Sequence, residues 1–345
     1  MVEAAEECQA ELEAYWNHAQ IRPPSSPCGA AQNCLLNSLQ EYTKATFSTA
    51  AILLGLLPTI LGFIGPVLQD TAVLMIRRPF LASLITIGSP ATSPIPLLSH
   101  AVDLKLERPS AVMLSVGAYF SRYKPSNPRT RSAVILLATV QYLLAFGAVA
   151  NTIHVAVQLD YTSVIVWHCS AVGYPEGWVV TSVLIHWVSA ASLWCGTRME
   201  KTPHEAHELE NKASIFGKLL GVLKRWLASE FIPSIFQPLP DWISHIGHTT
   251  VASNILSCFS SMMILAHYVI GTLVFSSFLF IGTPGASIIL CRFIGSALIC
   301  RLLLWLEHDS LCTQYQAQSK RSSLENSISL EPSRHSTADR AYPKA

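Results

Sequence analysis

From Ser132 to Leu159 the chain carries no charged side chain, with Arg131 and Asp160 bounding the stretch. A helix rises ~1.5 Å per residue, so such a run can cross the ~30 Å hydrocarbon core of a bilayer, which needs about 20 mainly apolar residues. Four other stretches meet the same requirement: about 47–68, 177–197, 257–281 and 287–306. They are roughly twice the ~10 residues of a barrel strand and lack its alternation. The expected fold is therefore an all-α, polytopic helical membrane protein with about five transmembrane helices.

Composition agrees. Charged residues are 13% of the chain, against about 25% in soluble proteins. Net charge is +1, which excludes the basic excess of a nucleic-acid binder. The membrane domain is expected over 47–306, after an acidic N-terminal segment (1–46) and before a Ser-rich tail (307–345) expected to be disordered. The spans explain only part of the charge deficit. Pro79–Val102 has no charge and Phe231–Ser260 has Asp241 alone, so interfacial or re-entrant cytoplasmic segments are expected at about 71–99 and 214–256.

Arg77 and Arg78 decide the reading of 71–99. Two arginines at the bilayer centre would cost about 5–7 kcal/mol on the insertion scale. They are read as interfacial anchors, with Phe80–Leu98 lying on the membrane or re-entering it. Trp178, Trp194 and Trp305, at expected span ends, are read as further anchors, because tryptophan favours the membrane–water boundary.

Charge sets the orientation. The 100–131 loop holds Lys105, Arg108, Arg122, Lys124, Arg129 and Arg131 against Asp103 and Glu107. Basic loops stay cytoplasmic. The 160–176 loop, with Asp160 and Glu176 and no Lys or Arg, then falls outside. The N-terminus, with Glu3, Glu6, Glu7, Glu11 and Glu13, is outside too, unless 71–90 crosses. The bilayer is thus the first expected partner, in either the plasma membrane or an endomembrane.

Three residue sets could carry chemistry. His154, His186 and His267 fall one each in spans two, three and four; with Gln141 they could line a polar seam, since intramembrane ionisable groups mark pathways. They could equally just hydrogen-bond between helices. No Asp or Glu falls inside an expected span, which counts against a cation-coupled transporter. His204, His207, His245 and His248, spaced i, i+3 on the 198–256 loop, could hold zinc or be ordinary exposed histidines. Cys28 or Cys34 could bond Cys169 in an oxidising compartment. Over 214–231, Phe216, Leu219, Leu220, Leu223, Trp226 and Leu227 form one helical face opposite Lys218 and Arg225. Such a basic amphipathic helix lies at the interface or docks a protein partner.

Ala51, Gly55, Gly62 and Gly65 would let a neighbouring helix approach span one closely, and Pro58 would kink it. No hydrolase elbow, P-loop or dinucleotide fingerprint is present, and no cofactor is expected.

The stretches Asn33-Cys34-Leu35-Leu36, Glu41-Tyr42-Thr43-Lys44-Ala45, Leu54-Gly55-Leu56-Leu57-Pro58-Thr59 and Arg77-Arg78-Pro79 resemble a group of multi-span membrane proteins of filamentous ascomycete fungi. The resemblance covers roughly 33–90. It implies a membrane protein of fungal type and no site residues. The expected function is a non-catalytic binding, scaffolding or sensing role. The alternative is a small transporter or channel component built on the histidine seam, and a metal-dependent membrane enzyme comes a distant third.

Overall fold

The computed structural model describes residues 2–18, 27–93, 128–166, 173–198, 230–237 and 250–329. Five helices are long and apolar enough to cross a membrane: Glu41–Ile64, Ser132–Thr162, Tyr174–Gly196, Val251–Ser276 and Thr283–Gln314. They are called spans one to five. The protein is an all-α polytopic membrane protein, and its five spans correspond one to one with the five apolar runs.

At one end of the bundle, Val164–Ile165 pairs antiparallel with Phe278–Leu279. This ladder ties the connection after span two to the turn between spans four and five. The same end holds the N-terminal helices Val2–Glu7, Gln9–His18 and Pro27–Ser38. Leu35 and Leu39 pack with Phe47 and Phe280 there, and a Cys8–Cys34 disulfide clips the helices together. We call it the strand-pair end.

Span one is broken where Pro58 predicts. Its helix ends at Gly55, turns at Leu56, and resumes as Leu57–Ile64 with Pro58 in the first turn. Proline is tolerated there because first-turn N–H groups have no intrahelical acceptor. The small residues act as expected. A Cβ at Gly55 would press on Ser276 of span four, and one at Gly62 would overlap the Tyr268 hydroxyl.

Span one stops at Ile64 and leads into a hairpin of two short helices, Leu68–Arg77 and Pro79–Gly88. Its base closes where Ser93 N–H donates to the Pro66 carbonyl at 3.2 Å. Its tip is Arg78, whose φ of −134° and ψ of 72° are non-helical. The cause is local: a residue before proline is pushed out of the α region, so Arg78-Pro79 ends one helix and starts the next.

The hairpin is a core element, not a surface one. Leu74, Met75, Leu81, Ala82 and Ile85 are buried against Tyr142, Ala145 and Ala148 of span two and Cys300, Leu303 and Leu304 of span five. Nearer the strand pair, Leu54, Leu57 and Leu61 of span one pack with Trp178, Phe275 and Phe293. Along span five, residues 286–297 thus face span one and residues 300–304 face the hairpin. The hairpin fills the half of the bundle that span one leaves empty.

Several expectations are corrected. Residues 307–329, expected in a disordered tail, continue the last helix to Ser329; no proline interrupts the chain between Pro284 and Pro332. Span four starts at Val251 rather than near 257, because the Thr250 hydroxyl caps it by accepting from Ser253 N–H. Cys34 cannot reach Cys169, since it is bonded to Cys8. Cys28 is also disulfide-bonded; Cys169 lies outside the described residues. Trp178 is 3% exposed and so is a core residue rather than an anchor, while Trp194 and Trp305 present over a third of their surface.

Gly62→Ala should therefore lower thermal stability in detergent by about 1–3 kcal/mol, the usual cost of overpacking. Gly147→Ala, where an added Cβ meets nothing within 4 Å, should be neutral or slightly stabilising. Equal melting temperatures for the two variants would contradict the close approach of spans one and four.

Candidate functional site

The hairpin tip organises the polar interior. Arg78 is completely buried, and its guanidinium is held on three sides. Nη1 donates to Glu307 Oε1 and to Gln141 Oε1, both at 2.8 Å, and Nε donates to the Glu230 carbonyl at 2.8 Å. Gln141 Nε2 donates to the same Glu307 oxygen at 2.6 Å. The other Glu307 oxygen accepts from Ser234 N–H at 3.1 Å. The Tyr142 ring lies 5.6 Å from the Arg78 guanidinium carbon, close enough for a cation–π contact.

A second carboxylate completes the tip. Glu230 Oε1 accepts from Leu81 N–H at 2.8 Å and from the Tyr142 hydroxyl at 2.7 Å, and Oε2 accepts from Phe80 N–H at 3.3 Å. These two N–H groups open the Pro79–Gly88 helix and have no intrahelical acceptor. Glu230 therefore caps that helix from the connection between spans three and four, and its charge complements the positive end of the helix dipole. Arg77 donates to Gln237 Oε1 through Nε and Nη2. Arg77 and Arg78 balance Glu230 and Glu307.

This overturns the anchor reading of Arg77 and Arg78. That reading set their charge against bare hydrocarbon. Here a carboxylate, an amide and a backbone carbonyl replace the lost water around Arg78, and Gln237 meets Arg77. Glu307, expected beyond span five, lies on the continuous Thr283–Gln314 helix.

The expected histidine seam separates into three places. His186 Nδ1 lies 2.7 Å from Thr71 Oγ1, and His267 Nε2 donates to the Pro90 carbonyl at 2.9 Å. Both therefore hold the hairpin. Trp178 stacks on the His267 ring at 4.7 Å and donates to the His267 carbonyl at 3.0 Å. Gln141 belongs to the Arg78 cluster. His154 stands apart, 3.3 Å from Arg292 on the lipid-facing side of spans two and five.

Sequence reasoning also missed two ties. Arg301 Nη1 donates to the carbonyls of Phe63, Ile64 and Gly65, at 3.0–3.1 Å, capping the end of span one with a cation, as the dipole favours. His308 links the last helix to the hairpin: its Nε2 lies 3.4 Å from Asp70 Oδ1 and its Nδ1 3.7 Å from Cys312 Sγ. Its spacing four residues before Cys312 was visible in the sequence; Asp70 was not.

Among the described residues no group of His, Cys, Asp and Glu could hold a metal ion. His204, His207, His245 and His248 lie outside the described residues, as does 214–231 apart from Glu230 and Phe231. Comparison with family models, with curated proteins and with solved structures finds no match.

Removing one partner of a buried pair strands the other, at about 3–5 kcal/mol. Glu307→Leu should therefore unfold the protein in detergent at markedly lower temperature. The double variant Arg78→Met, Glu307→Leu should recover a large share of that loss. Additive losses in this double-mutant cycle would show that the two side chains are not coupled.

Proposed function

We propose that the protein is a small transporter or channel component, closed at the end opposite the strand pair by the 66–93 hairpin and the 230–237 segment. The observation that supports this reading is the Arg78–Glu307 pair inside the bundle. Ionisable residues within membrane spans concentrate along ion and solute pathways. Half-length helices whose ends meet charged groups are a recurring way to build transport sites. The 230–237 segment meets the tip through Glu230, Ser234 and Gln237, all by hydrogen bonds. Withdrawal of Glu230 would free Phe80 N–H, Leu81 N–H and one side of Arg78 in a single step.

A binding, scaffolding or sensing role is the second reading. Engagement of both carboxylates by donors of the chain itself favours it, because the two acidic groups of the closed tip are already occupied. A metal-dependent enzyme has no support in the described residues.

In either reading the basic loops assign the strand-pair end to the side away from the cytoplasm. The Cys8–Cys34 bond supports this, since disulfides persist in oxidising compartments. The membrane is the plasma membrane or an endomembrane, and 214–231 remains the segment for a protein partner.

Purified protein in liposomes tests the transport reading, with an entrapped pH dye for protons and selective electrodes for potassium and chloride. Glu230→Ala should raise flux of at least one probe about tenfold, the effect of removing ~1.4 kcal/mol of closure. The Arg78→Met, Glu307→Leu variant should lose it. Flux no higher than in protein-free vesicles, for wild type and Glu230→Ala alike, would leave the scaffolding reading in its place.

A further inference from the structure

The Arg292 cluster takes no part in the hairpin or its closure, yet it is built from side chains of two spans. Arg292 Nε donates to Asn151 Oδ1 at 2.9 Å, Nη1 to Gln158 Oε1 at 3.3 Å, and Nη2 to His154 Nδ1 at 3.3 Å. Asn151 Nδ2 returns to the Arg292 carbonyl at 2.9 Å and to Ser296 Oγ at 2.8 Å. None of these partners is a carboxylate. The charge is therefore held in place but not neutralised.

Hydrogen-bond polarity fixes what the cluster presents. Accepting from Arg292 at Nδ1 places the His154 proton on Nε2, the ring nitrogen pointing away from the guanidinium. Accepting at Oε1 likewise leaves the Gln158 amide Nε2 as a free donor. Both side chains are exposed on the outer surface of the bundle. Around them lie lipid-facing apolar residues, among them Ile153 and Ile288. The exposed face of the cluster is thus cationic, with the His154 Nε2–H and the Gln158 amide N–H as outward donors.

Depth selects the ligand. Arg292 begins about 14 Å from the start of span five, at ~1.5 Å per residue, but its side chain reaches to Gln158, only about 6 Å from the strand-pair end of span two. The guanidinium thus rises along the stem toward the headgroup region. A cation with outward donors at that depth matches a phosphodiester, which a guanidinium can bind through two parallel hydrogen bonds.

We infer that Arg292, His154 and Gln158 form a binding site for the phosphate of an anionic phospholipid in the leaflet at the strand-pair end. The net positive charge favours an anionic lipid over a zwitterionic one, whose ammonium the guanidinium repels.

The test is lipid retention. The full chain is reconstituted in nanodiscs of phosphatidylcholine with a minority of phosphatidylglycerol, or with phosphatidylethanolamine in its place. It is then extracted into mild detergent, and the bound lipid is counted by native mass spectrometry. Wild type should retain phosphatidylglycerol at least about fivefold above its share of the bilayer, and phosphatidylethanolamine near its share. Arg292→Gln should abolish the enrichment. His154→Leu and Gln158→Leu leave Arg292 tied to Asn151 and so keep the helix contact; each should reduce it several-fold. Equal enrichment in wild type and Arg292→Gln, enrichment insensitive to His154→Leu and Gln158→Leu, or equal retention of both lipids by wild type, would overturn the assignment.

Discussion

A guanidinium removed from water must be given back what water supplied, and the interior of this protein is arranged around that requirement. Arg78 is completely buried. An isolated ion in that position costs several kcal/mol after relaxation. Its three partners come from span two, span five and the connection between spans three and four. Holding one side chain through Nε and Nη1 thus fixes where three separate parts of the chain meet. The hairpin is held at the opposite end by gentler means, through Thr71, Pro90 and the two buried histidines.

Packing obeys the same division. Span one is too short to fill the bundle beyond Ile64, and the two short helices supply the missing apolar volume. Small residues make the fit possible. Gly65 sits where a Cβ would collide with the Ala91 carbonyl, so the hairpin base can close only around a residue without one. Arg301 then satisfies the carbonyls that the interrupted helix exposes. The helix end at Ile64 is tolerated at membrane depth because Arg301 and the hairpin base cover its carbonyls.

Much of this was legible in the sequence. Apolar length located the five spans, since a bilayer needs about 20 mainly apolar residues for each crossing. Pro58 and the Gly55–Gly62 spacing announced the kink and the close approach of a neighbouring helix, which is span four. The tip was not legible. Arg77 and Arg78 were weighed against hydrocarbon, and the residues that change that balance lie 63 and 229 positions further along the chain. Neither Glu230 nor Glu307 has any local pattern pointing to Arg78. The histidines were found by residue type, but their depth said nothing about direction: His186 and His267 face the hairpin and His154 faces lipid. Cys34 was recognised as a disulfide candidate, yet several cysteines on one side of the membrane leave the pairing open.

The separation of 229 residues between Arg78 and Glu307 also has a meaning in time. At ~5–20 residues per second of synthesis, Arg78 emerges about ten to fifty seconds before its carboxylate exists. During that interval a buried guanidinium has no partner, and the stable place for it is the water-facing boundary. The Arg78–Glu307 contact can form only once the fifth span has been made, so the hairpin tip gains the Glu307 carboxylate last among its partners from the chain.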